Sequence, residues 1–78
     1  MEDRPRRSKT VIEMECLHAV RSQAACREID RITIRKVVGV PEYNWEPVEF
    51  QPMPTAGAEE AARDIIAALQ RRFVLLGE

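Results

Sequence analysis

The stretch RITIRKVVGVPEYNWEPVEFQ, residues 31–51, decides the fold. Its first part is rich in β-branched side chains and alternates between apolar and polar positions, as half-buried strands do. The central GVPEYN segment supplies Gly, Pro and Asn, which are common in turns. Because the alternation resumes at the Val-Glu-Phe that follows, the stretch predicts an antiparallel hairpin with strands over residues 31–38 and about 45–51.

The residues that must face the core leave two registers open for this hairpin. Ile34 and Phe50 both point inward, and opposed residues of an antiparallel pair share a face. The numbers of opposed residues therefore sum to an even value unless a bulge intervenes. A sum of 82 places Ile34 opposite Val48, whereas a sum of 84 places Ile34 opposite Phe50. Pro47 fits either register, because both strands of a hairpin are edges.

A helix is predicted after the Pro-rich connection, from about Ala56 or Gly57. Apolar side chains recur within one arc of its helical wheel: Ala58, Ala62, Ile65, Ile66, Leu69, Phe73 and Leu76. Val74 and Leu75 fall on the polar side of the same wheel. Either the helix unwinds near Phe73, or these two side chains face another molecule.

An earlier helix is predicted from Thr10 to about Cys26. Thr10 and Glu13 have the spacing of a capping box, and the apolar residues that follow continue one helical arc. His18 lies on the opposite arc and is expected to be exposed. Residues 11–16 also alternate strictly, so a short additional strand there is the alternative.

These elements predict an α+β fold, helix–strand–strand–helix, with both helices on one face of the antiparallel hairpin. Residues 10–78 are expected to form one small domain, preceded by a flexible basic tail over residues 1–9 that carries Arg4, Arg6 and Arg7. A chain of 78 residues buries only about 60–65% of its unfolded surface. Its stability is therefore marginal, and a second copy would add to it.

Composition narrows the function classes. The 12 basic and 13 acidic residues are interspersed and give a formal net charge of −1, whereas dedicated nucleic-acid binders are more basic.

No apolar run approaches the length of a secretory signal or a membrane span, so a cytoplasmic location is expected. Cys16 and Cys26 lack the spacing of a zinc site and are interpreted as reduced, buried residues. No catalytic set or glycine-rich phosphate loop is legible, so neither catalysis nor a cofactor or metal is expected.

Two surface features are candidates for binding. The outward face of the hairpin carries Arg31, Arg35 and Val37, which predicts docking of a second copy or, through the arginines, of nucleic acid. Val74 and Leu75 lie outside the predicted core arc, so a second copy is also expected to dock near them.

The only Tyr and the only Trp of the chain, Tyr43 and Trp45, fall in one turn-like stretch. The favoured interpretation is a clasp that closes the hairpin, with Trp45 packed and Tyr43 half-exposed. The alternative is a recognition loop, because loops carry function and both residue types are frequent at the centres of interfaces.

The leading function hypothesis is a small cytoplasmic protein-interaction module that self-associates and has no catalytic activity. The alternative is a nucleic-acid-associated protein that uses the basic arm and the strand arginines, although the balanced charge makes nucleic acid the less favoured partner. A mixed surface potential favours the first hypothesis, and a continuous basic stripe favours the second.

The order of elements also resembles a group of short uncharacterised bacterial proteins of alphaproteobacterial type. The resemblance rests on a basic-apolar strand, on Asn44-Trp45 opening a second strand, and on a helix that ends Leu-Gln-Arg-Arg-Phe at residues 69–73. It covers residues 17–76. It implies a small cytoplasmic protein and assigns no site residues, because no function is known for the group.

Overall fold

The computed structural model describes residues 4–76. Its centre is an antiparallel hairpin of β2 (Arg31–Lys36) and β3 (Trp45–Gln51), on which α1 (Lys9–Val20) and α2 (Ala56–Arg72) pack. The predicted α+β class, with two helices on the hairpin, is therefore confirmed. The structure adds a parallel pair of two-residue strands, β1 (Arg6–Arg7) and β4 (Val74–Leu75).

The first helix begins earlier than the sequence predicts. Ser8 is its N-cap, and its hydroxyl oxygen accepts a hydrogen bond from the amide of Val11 at 3.3 Å. The predicted capping box of Thr10 and Glu13 is wrong. The Glu13 carboxylate instead accepts from the amide of Ile34 in β2 at 3.0 Å, because that strand amide points away from its hairpin partner.

The same helix also ends earlier than predicted, at Val20. The amide of Gln23 donates to the carbonyl of Val20 at 3.0 Å, and the Ser22 hydroxyl donates to the carbonyl of Ala19 at 2.7 Å, so the last helical carbonyls are used in a turn. Cys26 follows in a separate 3-10 turn. Residues 11–16 are helical, so the alternative of an extra strand over them is wrong.

The numbers of opposed residues sum to an even value in one part of the hairpin and to an odd value in the other. Thr33 lies opposite Glu49 at the predicted sum of 82, but Ile34 lies opposite Pro47, so Val48 is the extra residue of a β-bulge. Neither predicted register therefore describes the whole hairpin. Successive side chains of a strand point to opposite faces. The extra residue therefore exchanges the two faces for the part of β3 that lies beyond it.

The bulge decides which aromatic side chains reach the core. Trp45 and Phe50 occupy positions of opposite parity, so a regular strand would place them on opposite faces. With Val48 inserted between them, both side chains are buried, at 0% and 7% exposure. Val48 itself stays 42% exposed at the bulge.

The first strand of the hairpin ends at Lys36, before the predicted Val38. The amide of Val37 donates to the carbonyl of Asn44 at 2.9 Å, and beyond this bond Gly39 reverses the chain with a φ of +86°. A positive φ is readily adopted by glycine and rarely by other residues. The reversal leaves Val38 79% exposed, beyond the end of the strand in which the alternation had placed it.

One hydrophobic core lies between the helices and the hairpin. Its fully buried large side chains come from α1, from the hairpin, from α2 and from the connection before β2: Ile12, Cys16, Val20, Cys26, Ile29, Ile34, Trp45 and Ile66. The predicted burial of both cysteines is confirmed.

The second helix begins at Ala56, where the Thr55 hydroxyl oxygen accepts from the amide of Ala58 at 3.2 Å. It ends at Arg72, and Phe73 is already extended. Of the two predicted alternatives for this end, the unwound one is correct.

Unwinding changes which leucine reaches the core. The exposure of Leu75 is 7% and that of Leu76 is 49%, so the prediction of Leu76 as a core residue is wrong. An extended chain turns its side chains over at every residue, whereas the wheel assumed helical steps.

The amino-terminal segment is part of the fold. Arg6 pairs with Val74 and Arg7 with Leu75, and the amide of Val74 donates to the carbonyl of Pro5 at 3.0 Å. The prediction of a flexible tail over residues 1–9 is therefore wrong for its described part. Residues 1–3 lie outside the described residues.

Candidate functional site

Asn44 and Trp45 hold the carboxyl-terminal segment against the hairpin. The Asn44 amide group accepts from the amide of Leu75 at 2.8 Å and donates to the carbonyl of Leu75 at 3.0 Å, as a neighbouring strand would. The Trp45 indole N–H donates to the carbonyl of Phe73 at 3.0 Å, and the Gln70 side chain donates to the carbonyl of Trp45 at 2.6 Å. We call Asn44, Trp45 and these bonds the clasp.

The burial of Trp45 distinguishes between the two interpretations of its side chain. Its exposure is 0%, as the packed interpretation predicts, so the indole presents no surface to a partner. Tyr43, next to it, is half-buried. The two motifs on which the sequence resemblance rests, Asn44-Trp45 and residues 69–73, contact each other through these bonds.

The edges of the hairpin are closed to the addition of another strand at defined points. Glu13 occupies the outward amide of Ile34 on β2, and Gln70 occupies the outward carbonyl of Trp45 on β3. Pro47, also on β3, has no amide to offer. Capped and proline-containing edges resist pairing with another chain. These occupied positions and Pro47 therefore hinder extension of the sheet by another chain.

The outward face of the hairpin is a paired polar surface. The Arg35 side chain donates to the Glu46 carboxylate at 2.6 Å, across the strand pair. Arg31 is exposed, opposite Gln51 at the far end of the hairpin, and Val37 is half-buried. These predicted site residues therefore do not form one continuous basic or apolar patch.

The predicted docking surface around Val74 and Leu75 is wrong. Leu75 is buried and Val74 is half-buried, because both lie in β4, between the clasp and β1. Next to them Leu76 is 49% exposed, and the other exposed apolar side chains lie elsewhere: Val11, Met14, Val38, Val48 and Met53. Two of them, Val11 and Met14, lie one turn apart on α1.

A shallow groove runs between α1 and β2, next to Met14. Leu17 and Ile32 give it apolar lining, and Glu13, Asp30 and Arg31 also line it. Helix and strand supply most of its walls, so its shape is held by regular backbone hydrogen bonds. We call it the α1–β2 groove.

Four exposed arginines lie on the segments that the β1–β4 pairing brings together. Pairing of β1 with β4 brings Arg6 and Arg7 to the end of α2, which carries Arg71 and Arg72 in its last turn. The guanidinium carbons of Arg7 and Arg72 lie 5.8 and 5.4 Å from the centre of the Phe73 ring. We call these four residues the arginine cluster; the sequence shows only two separate pairs.

The groups capable of chemistry are few in the described part of the chain. Burial, followed by the charges of Glu13 and Glu15, raises the pKa of the Cys16 thiol to about 12, so it stays protonated at neutral pH. The Cys26 thiol is buried and donates to the carbonyl of Ala58 at 3.4 Å. His18 is exposed, as predicted. Residues 4–76 contain no group of acidic, His or Cys side chains arranged to hold a metal.

Comparison with known proteins gives no family for this chain: no family model, curated protein or solved structure matches it. Within residues 4–76, neither helix is long and apolar enough to cross a membrane. Functional proposals therefore rest on the geometry of the described residues.

Proposed function

We propose that the protein is a small cytoplasmic protein-interaction module, without catalytic activity, that forms a homodimer through the outer face of α1. The observation that carries this proposal is that α1 has apolar side chains on two sides. Ile12 and Cys16 are fully buried on the inner side, whereas Met14 and Val11 on the outer side are 66% and 38% exposed. Apolar residues on the second side of a helix indicate that this side is covered as well.

The α1–β2 groove gives the outer face a shape that a second helix fits. Met14 stands beside the groove, and Leu17 and Ile32 line it. An apolar side chain of a partner helix would displace water from these three residues, and such burial contributes about 25 cal/mol for each Å² of apolar surface. Two of the other exposed apolar residues, Val48 and Met53, line a second groove between β3 and α2. Glu49, Glu59 and Arg63 also line that groove, and Met53→Glu therefore distinguishes it from the α1–β2 groove.

A second copy suits this surface because the groove carries both signs of charge. Glu13 and Asp30 lie on it together with Arg31. In a two-fold contact the same patch meets itself, so each charge can be set against its opposite only where both signs are present. The patch is small relative to standard interfaces, so we expect dissociation in the micromolar range.

Light scattering coupled to size-exclusion chromatography tests the homodimer. The wild-type mass should rise towards twice that of one chain between low and high micromolar concentration, with little dependence on salt. Met14→Glu should remain monomeric, because it places a charge in the apolar contact. Met53→Glu is the matched control: Met53 is 88% exposed on a loop, so this variant should associate like the wild type.

Two outcomes contradict the homodimer. One is a wild-type protein that is strictly monomeric at high micromolar concentration. The other is an M14E protein that is folded by circular dichroism and still associates as the wild type does.

The alternative proposal is association with nucleic acid through the basic N-terminal arm and the strand arginines, and it has less support at the strand arginines and at Arg4. Arg35 is bound to Glu46, and exposed charges paired in this way attract phosphate weakly. Arg4, from the predicted basic arm, donates to the backbone carbonyl of Gln70 at 3.2 Å. The ion pair of Arg35 and the hydrogen bond of Arg4 do not involve Arg6, Arg7, Arg71 or Arg72.

A further inference from the structure

The arginine cluster is a concentration of like charge that only the folded chain creates. Arg6 and Arg7 are separated from Arg71 and Arg72 by most of the sequence, and the β1–β4 pairing joins them. Within residues 4–76 none of the four forms an ion pair with a carboxylate. All four are exposed.

Part of this arrangement has a structural explanation. Positive side chains near the end of α2 interact favourably with the negative end of the helix dipole. Arg7 and Arg72 also lie over the Phe73 ring at cation–π distances. Neither explanation covers Arg6, which is outside the helix, and both leave the positive charges of Arg7 and Arg72 beside the same ring.

We infer that the arginine cluster binds the phosphate backbone of single-stranded nucleic acid. Guanidinium groups match phosphate oxygens in a two-pronged geometry, and their charge is permanent. Binding a polyanion would relieve the repulsion within the cluster. The inference is independent of the homodimer, because the cluster and the outer face of α1 share no residue.

A polyphosphate backbone suits the cluster better than an acidic protein surface does. Exposed ion pairs between arginine and carboxylate add little each, less than association of two proteins costs. Nucleic acid gains additional free energy because each phosphate contact releases condensed counterions into solution. Four arginines therefore suffice for weak, salt-dependent binding of nucleic acid, and they are too few for tight binding.

Tyr43 gives a reason to prefer a single strand over a duplex. Its neighbours in sequence reach this end of the molecule: Arg4 donates to the carbonyls of Glu42 and Gln70, and Asn44 bonds to Leu75. Tyr43 lies between Glu42 and Asn44 in the sequence and is half-buried, so part of it remains accessible. Unpaired bases stack on such aromatic side chains, whereas bases within a duplex cannot.

Fluorescence anisotropy with labelled oligothymidylate of about 20 nucleotides, longer than one binding site, tests the inference on the full-length chain. The wild type should bind at low salt. The logarithm of its association constant should fall with the logarithm of salt concentration with a slope of up to about −3, as expected for up to four phosphate contacts on a single strand. The full chain is used because Glu2, Asp3 and Glu78, close to the cluster in sequence, lie outside the described residues.

Two double variants that remove the same charge distinguish the effect of the arginine cluster from the effect of overall charge. Arg71→Gln with Arg72→Gln should weaken binding at low salt by about tenfold and make the salt slope shallower. Arg21→Gln with Arg27→Gln removes the same charge from exposed positions outside the cluster, and it should change binding less than about twofold. Tyr43→Leu should weaken binding about fivefold or more, whereas Tyr43→Phe should keep the wild-type affinity.

Four results would overturn the inference. The first is a wild-type protein that does not bind the oligonucleotide at low salt. The second is an equal loss in the two arginine pairs, which would show a general charge effect. The third is duplex of the same length binding as tightly as the single strand, and the fourth is polyglutamate competing as well as unlabelled oligothymidylate. Circular dichroism of each variant confirms that it is folded.

Discussion

The clasp and the outward face of the hairpin use similar polar groups in different surroundings. At the clasp, the indole and amide groups of Trp45 and Asn44 bond to backbone atoms in a buried or half-buried position. On the outward face, Arg35 bonds to Glu46 where 66% of the arginine side chain is exposed. A buried backbone group that loses its partner stays unsatisfied, whereas water replaces a lost partner at the surface. The clasp bonds should therefore contribute more to stability than the shorter ion pair.

The largest expected effect is the loss of the Trp45 side chain. Trp45→Ala should lower the free energy of unfolding by about 3–5 kcal/mol, because it removes the largest fully buried side chain and frees the carbonyl of Phe73. Urea denaturation followed by far-UV circular dichroism measures this change. In the wild type, indole emission should be blue-shifted and should change only on unfolding.

Two further variants sharpen this result. Trp45→Phe keeps most of the packing but not the N–H donor, so it should cost clearly less than Trp45→Ala and remain folded. Tyr43→Ala, at the half-exposed neighbour, should cost under about 1 kcal/mol. If Trp45→Ala cost no more than Tyr43→Ala, the clasp would not hold the carboxyl-terminal segment against the hairpin.

A smaller effect is expected at Asn44. Asn44→Ala leaves both the amide and the carbonyl of Leu75 without their side-chain partner, which should cost about 1–3 kcal/mol. Amide hydrogen exchange at Leu75 and Leu76 should accelerate more than exchange in α1. Equal acceleration in both places would show that the bonds stabilise the fold globally rather than anchoring the carboxyl-terminal segment.

The smallest effect is expected on the outward face. A double-mutant cycle of Arg35→Ala and Glu46→Ala should give a coupling energy of about 0.2–1 kcal/mol that declines as salt is added. A coupling energy larger than the stability lost in Asn44→Ala would reverse the comparison between the two regions.

Local patterns were sufficient for the main elements. The alternation over residues 31–38 and the apolar arc of α2 identified the hairpin and the second helix, because a period of two or of 3.6 follows from which side faces a core. The start of β3 at Trp45 and the burial of Cys16 and Cys26 were also predicted. These features depend on near neighbours in sequence.

The errors concern partners that are distant in sequence. Glu13 has the spacing to cap its own helix but bonds instead to Ile34, and nothing near Glu13 in the sequence indicates that strand. The bulge at Val48 lets both Trp45 and Phe50 enter the core, which no register counted along one strand could show.

For this protein the sequence alone determined the α+β class and the order of the main elements, and it favoured a packed Trp45 over an exposed one. Tertiary structure decided which polar groups meet: the clasp joins the middle of the chain to its carboxyl-terminal segment, and the β1–β4 pair and the arginine cluster join residues from opposite ends of the chain. The physical reason is one of range. Propensity and periodicity act over a few residues, whereas a hydrogen bond or a charge cluster depends on distances that only the folded chain fixes.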